Sequence, residues 1–175
     1  MADEELIRLS YCSTSSRRSH GGTASDNEIP RILRASRTNN PPLKLGGVLH
    51  YGNGYFFQVL EGPAAAVDAL YETIRQDPRH TEVQTLERVP VSKRRFPDWS
   101  MKYVPLEEDI NRVLARHKLE AFDPYQFGPA VIEELITVLV GAQGADRATD
   151  PDPARPRSPG SWFHRWLRRI RGKGH

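Results

Sequence analysis

A glutamine stands in this chain where a core hydrophobe belongs. The run Tyr55-Phe56-Phe57-Gln58-Val59-Leu60 reads as a buried strand. Successive strand residues point to opposite faces, so Gln58 shares a face with Phe56 and Leu60. An amide buried there without partners for its donors and its acceptor costs about 1–3 kcal/mol. Ile7, Leu9 and Tyr11 share a face of an earlier strand, and Tyr11 brings a hydroxyl that can meet the amide. Such a pair can be plain hydrogen-bond satisfaction in a core. It can also serve a function, and further segments of the chain decide between the two. The two ends of an amide differ, and rotating it changes what each end bonds.

Four other groups could act chemically. Asn39-Asn40-Pro41 follows a helical stretch, and an Asn amide offers both donor and acceptor; the same residues are common in a helix stop and turn. Arg79-His80 follows Asp77-Pro78, either as cations for an anionic ligand or as a solvated loop beside a helix end. Trp99 and Met101 lie two apart and share a face on an extended strand, a pattern that ordinary core packing also produces. Cys12 points away from the Tyr11 face and reads as a small buried hydrophobe. There is no Gly-rich dinucleotide fingerprint and no His/Cys/Asp cluster with metal spacing, which argues against a Rossmann-type flavoenzyme and a metal site.

The elements that must place these groups follow from periodicity and punctuation. A strand runs from Leu6 to about Cys12, then a polar loop from Ser13 to Ser25. Asp26 caps a helix through about Arg37 with Ile29, Ile32, Leu33 and Ser36 inward, and the prolines 41 and 42 stop it. Leu45 to Tyr51 and Tyr55 to Glu61 form a hairpin around Gly52-Asn53-Gly54. Pro63 opens a second helix with Val67, Leu70, Tyr71 and Ile74 at helical spacing, ending near Gln76. Glu82 to Val91 and Met101 to Val104 are the fourth and fifth strands. The fold class is α+β: a ferredoxin-like β-α-β-β-α-β sheet with an added fifth strand and both helices on one face. C-terminal helices follow, one marked by Ile110, Val113 and Leu114, the next by Val131, Leu135, Val138 and Leu139 after Pro129.

Together, Tyr11, Asn39-Asn40-Pro41, Gln58-Val59-Leu60-Glu61-Gly62, Asp77-Pro78-Arg79-His80 and Arg94-Arg95-Phe96-Pro97-Asp98-Trp99-Ser100-Met101 resemble the BLUF family, blue-light sensors that use FAD. The resemblance runs in order from about Leu6 to Tyr103 and is of the short stand-alone type. One departure is Leu45-Gly46-Gly47, where the family often has Ile/Leu-Thr-Gly; it should alter local packing more than chemistry. The resemblance implies a non-covalent FAD held with its ring between the two helices. Asn40 would bond the C4=O/N3 edge, Asn39 would lie beside the ring, and Arg79 and His80 would sit near the ribityl or phosphate part. Tyr11 would donate the electron and proton, Gln58 would relay by rotation or tautomerisation, and the absorption would shift red. Trp99 and Met101 would carry the signal to the outer strand.

The 175 residues suffice for one domain with extensions, divided here as 1–105 photosensory, 106–145 helical, 146–160 linker and 161–175 tail. The net charge of +3 is misleading: residues 146–175 hold eight Lys/Arg against three Asp/Glu, so the remainder is slightly acidic and nucleic-acid binding is not supported. The linker has prolines at 151, 153, 156 and 159; the tail places Trp162, Phe163, Trp166, Leu167 and Ile170 opposite Arg165, Arg168, Arg169, Arg171 and Lys173. That pattern suits an anionic membrane surface. No apolar run approaches a membrane span, the N-terminus lacks a secretory stretch, and a single cysteine fits a cytoplasmic protein, peripheral at the membrane through its tail. The expected function is therefore a non-enzymatic photoreceptor that signals to an unidentified downstream protein or through a homo-oligomer. Two rivals are a small acylphosphatase-like hydrolase, with Arg17-Arg18 and Gly21-Gly22 as a faint anion loop, and a cofactor-free docking protein acting through the tail.

Overall fold

The computed structural model describes residues 5–17, 28–97, 100–104 and 107–141. The proposed N-cap Asp26, residue Trp99, the 146–160 linker and the 161–175 tail lie outside the described residues. The elements are β1 (Leu6–Ser15), α1 (Glu28–Asn39), β2 (Gly46–Gly52), β3 (Tyr55–Pro63), α2 (Ala64–Arg75), β4 (His80–Pro90), β5 (Lys102–Tyr103), α3 (Glu107–Arg116) and α4 (Pro129–Gly141). They form one five-stranded sheet in the order β4-β1-β3-β2-β5, with β5 parallel to β2 and every other pair antiparallel.

Both faces of the sheet are covered, which explains why β1 and β3 are buried almost throughout. Ile7, Leu9, Tyr11, Phe56 and Leu60 point to one face, where Val67 of α2 and the half-buried Ile29, Ile32 and Leu33 of α1 meet them. Val48, Phe57 and Val59 point to the other, against Ile110, Val113 and Leu114 of α3 and Val131, Ile132, Leu135 and Ile136 of α4. The two faces are finished differently. Five apolar residues of α4 are buried, whereas α1 buries only Glu28 and Asn39, so its apolar stripe stays half-exposed.

Four element boundaries depart from the sequence reading, each for a reason of hydrogen bonding. Strand β1 continues three residues past Cys12 because its polar end is paired on both sides, Thr14 with Tyr55 and Ser15 with His80. Strand β4 correspondingly begins at His80, not Glu82. Helix α1 runs to Asn39, and Asn40 N–H still reaches the Ser36 carbonyl. The prolines then supply no N–H, and a 3₁₀ turn over Pro41–Leu43 replaces the helix. Strand β5 is only two residues long, so Met101 sits in a bend before it and not on an extended strand. The carbonyls of Ser100 and Met101 are taken by Asn40 Nδ2, just past α1, and by Arg37 Nε of α1 respectively, in place of a ladder. At Gly47 a Cβ would fall 2.0 Å from the Val59 carbonyl oxygen and 3.3 Å from Met101 Cε, so strand β2 can lie this close to β3 only with a glycine there.

Among the described residues no helix is long and apolar enough to cross a membrane. Among the same residues no group of His, Cys, Asp or Glu could hold a metal ion.

Candidate functional site

Tyr11 and Gln58 are direct register partners on neighbouring strands, and their parity puts both side chains on the α1/α2 face. Tyr11 Oη donates a hydrogen bond to Gln58 Oε1. Tyr11 is fully inaccessible and Gln58 is 3% exposed, so this bond is made in a low dielectric. The other end of the amide donates from Nε2 to Met101 Sδ at 3.2 Å. A thioether is a weak acceptor, which leaves that half of the amide loosely held.

Burial pushes the Tyr11 phenol well above its ordinary 10.0, with Tyr71 and Asp77 acting in the same direction and Arg79 against it. The group therefore stays protonated at any physiological pH. Its ring meets Tyr71 with centroids 5.3 Å apart and His80 with centroids 6.4 Å apart.

His80 opens β4 as a buried residue, not a solvated loop side chain. Its Nδ1 shares a 2.8 Å hydrogen bond with Ser13 Oγ, and its ring lies 4.6 Å from that of Phe56. Burial lowers the imidazole from 6.5 to about 4, against the pull of Asp77. The unfolded chain thus binds the His80 proton at higher pH than the folded one does. The stabilisation is complete above pH 6.5 and disappears as pH falls towards about 4. The loss attributable to this residue is roughly 3 kcal/mol. Urea melts at pH 7 and pH 4.5 should show a larger fall for the unmutated protein than for His80→Gln; equal falls would refute this assignment. Burial would raise the Asp77 carboxyl, but hydrogen bonds from Arg79 outweigh it and hold it below its ordinary value. Asp77 therefore also loses stabilisation on acidification, at lower pH.

Asn39 and Asn40 close the site at the end of α1. Asn40 is 2% exposed and its Nδ2 holds the Ser100 carbonyl, leaving its oxygen and a second N–H for a ligand. Asn39 Oδ1 is buried with no hydrogen-bond partner among the described residues. An orphaned acceptor beside a half-exposed apolar helix face fits the planar, imide-edged flavin that the resemblance implies.

The structure thus brings together Tyr11, Gln58, Met101 and His80, and ties Asn40 to the same bend. Arg79 is forked onto Asp77 at the edge of the group. Arg17 is engaged by Glu28 at 3.0 Å, whereas Arg18, Gly21 and Gly22, on which the hydrolase reading also drew, lie outside the described residues. Tyr71 and Ser13 were not singled out by sequence. Tyr71 was read as part of the second helix's apolar stripe and Ser13 as the start of a polar loop, but their partners come from β1 and β4, far away in the chain.

The family model for sensors of blue light using FAD (BLUF) matches residues 6–102. The photoactivated adenylate cyclase subunit beta of Euglena longa is 39% identical over 100 residues, 57% of this chain but 11% of that protein. The blue light- and temperature-regulated antirepressor BluF of Escherichia coli (strain K12) is 32% identical over 79 residues, 45% of this chain and 20% of that protein. This chain therefore spans a small part of the curated relatives it matches. Among solved structures, the BLUF protein BlrB in its dark state is 34% identical, with a TM-score of 0.65 over 79% of this chain and 98% of that one. BlsA in its photo-activated state is 26% identical, with a TM-score of 0.71 over 84% of this chain and 99% of that one.

Proposed function

The chain belongs to the BLUF family, the sensors of blue light using FAD, and from that membership we propose that Tyr11 and Gln58 are the switch of a photoreceptor that itself catalyses no reaction. The supporting observation is the direct pairing of a buried phenol with a buried amide whose far end rests on a sulfur. FAD, when bound, supplies a blue-absorbing group that takes up an electron in its excited state. Tyr11 would release that electron and then its proton, which its hydrogen bond already aims at Gln58 Oε1, and both would return to it once the amide has changed its bonding, leaving phenol and ring at their starting oxidation levels. Gln58 would then reverse or tautomerise, exchanging its bond with Tyr11 and giving up a weak N–H···S contact at Met101. New hydrogen bonds from Gln58 to the ring edge would shift the absorption to the red without a covalent bond.

Asn39, Asn40 and Gln58 are the proposed contacts to the ring, with Arg79 and His80 towards the rest of the cofactor. Trp99 and Met101 are the proposed route to the outer strand. The output passes to a separate signalling protein or to a homo-oligomer whose contacts involve α3 and α4.

The deciding experiment is an absorption spectrum of the purified protein before and after blue light. A flavin spectrum that shifts red and relaxes in darkness supports the reading; a flavin that bleaches or does not move ends it.

The Trp/Arg tail, outside the described residues, is proposed to dock a cytoplasmic protein peripherally on anionic membrane. Removing residues 161–175 should leave the photocycle intact and strongly reduce sedimentation with anionic vesicles. Equal sedimentation of both forms would exclude that role.

A further inference from the structure

The motif Gln58-Val59-Leu60-Glu61-Gly62 contains a charged residue to which the photochemistry assigns nothing. Glu61 is fully inaccessible and lies on the odd, α4-facing side of β3, three residues from Gln58. Its Oε2 accepts the backbone N–H of Arg95 at 2.7 Å and that of Phe96 at 3.0 Å, while its Oε1 has no hydrogen-bond partner among the described residues. Phe96 is itself fully buried under α4. The Arg95 side chain continues outward and pairs with Glu133 of α4. The other oxygen of Glu133 receives Arg8 Nη2 at 3.3 Å, and Arg8 is the register partner of Glu61 on β1. The ring of groups Glu61, Arg95, Glu133 and Arg8 therefore joins the glutamine's strand to α4 through the segment that leads to Met101.

This is an unusual way to hold a helix on a sheet. Most of the α4 contact is apolar, yet here it crosses a patch containing buried polar atoms with no hydrogen-bond partner among the described residues: Arg8 Nε, Ser10 Oγ, Glu61 Oε1 and Glu87 Oε2. Unsatisfied polar groups make the docked arrangement shallow in free energy, and ion pairs with alternative partners permit a second arrangement. Arg8 already has one, since its Nη2 also lies 3.9 Å from Glu87.

Resting on the photoreceptor reading, we propose that Glu61 is a positioning residue that hooks the 95–96 segment to β3, and that Arg95 and Glu133 pass displacement of this segment to α4 as the output of the switch. The hook acts on the same chain segment whose other end, five residues after Phe96, places Met101 on Gln58. A change at the amide is thereby felt on the opposite face of the sheet.

The test is hydrogen–deuterium exchange of α4 in the full chain loaded with FAD, in darkness and under blue light, with the red shift recorded on the same samples. In the unmutated protein, the exchange of α4 amides should change on illumination. Arg95→Ala removes a half-exposed side chain and leaves its backbone N–H on Glu61, so the red shift and the melting temperature should be kept. In that variant the light-minus-dark difference in α4 should vanish, and Arg95→Lys should restore part of it. Glu61→Gln keeps an oxygen for the two N–H groups and should retain the response, whereas Glu61→Ala should lose it. A purely structural role would raise exchange equally in darkness and light. An α4 that responds to light as strongly in Arg95→Ala as in the unmutated protein overturns the proposal. So does an α4 that does not respond at all while the red shift is normal. A missing red shift in the unmutated protein overturns the photoreceptor reading itself, and the proposal with it.

Discussion

Tyr11→Phe is expected to bind FAD and to lose the light-induced red shift completely. The substitution keeps the ring, so the packing against Tyr71 and His80 survives, and it removes only the hydroxyl. A phenyl ring does not yield an electron under conditions where a phenol does, and it has no proton to pass to Gln58. The folded state is weakened only modestly, since Gln58 Oε1 loses its donor at a buried position, an effect of about 1–3 kcal/mol. Light-minus-dark spectra of the two proteins decide the matter. A normal, reversible shift in the variant would remove Tyr11 from the mechanism.

Gln58→Leu should be equally severe for the photocycle: FAD retained, no reversible red shift. Leucine fills the space between Phe56 and Leu60 but can neither receive the Tyr11 proton nor reverse its bonding. If a reversible shift persists, the relay assignment fails. Stability supplies an independent check. Each single substitution strands one buried partner of the Tyr11–Gln58 bond, whereas Tyr11→Phe with Gln58→Leu removes both and leaves an apolar contact. The double variant should therefore be less destabilised than the sum of the two singles, by about 1 kcal/mol or more in urea melts.

Much of this was readable in advance because two-residue periodicity is unambiguous where apolar residues are dense. The parity of Ile7, Leu9 and Tyr11 against Phe56, Gln58 and Leu60 placed the phenol and the amide on one face, and the β-α-β-β-α-β order placed the helices. Periodicity fails where polar residues are buried. Ser13, Thr14 and Ser15 read as loop, yet they finish β1 because His80 answers the Ser13 hydroxyl, Glu82 and Tyr125 answer that of Thr14, and Ser15 pairs with His80 in the ladder. Met101 read as strand, yet it lies in a bend because Arg37 and Asn40 side chains claim the carbonyls there. Glu61 was visible only as part of a motif. What it does depends on two backbone N–H groups more than thirty residues away, which no local pattern announces.

Strand β3 alternates its allegiance residue by residue: Phe56, Gln58 and Leu60 face α1 and α2, while Phe57, Val59 and Glu61 face α3 and α4. For anyone building light-controlled fusions, this interleaving separates two adjustments that are usually entangled. Substitutions at the even positions are expected to act on the switch itself, and those at the odd positions on its coupling to α4.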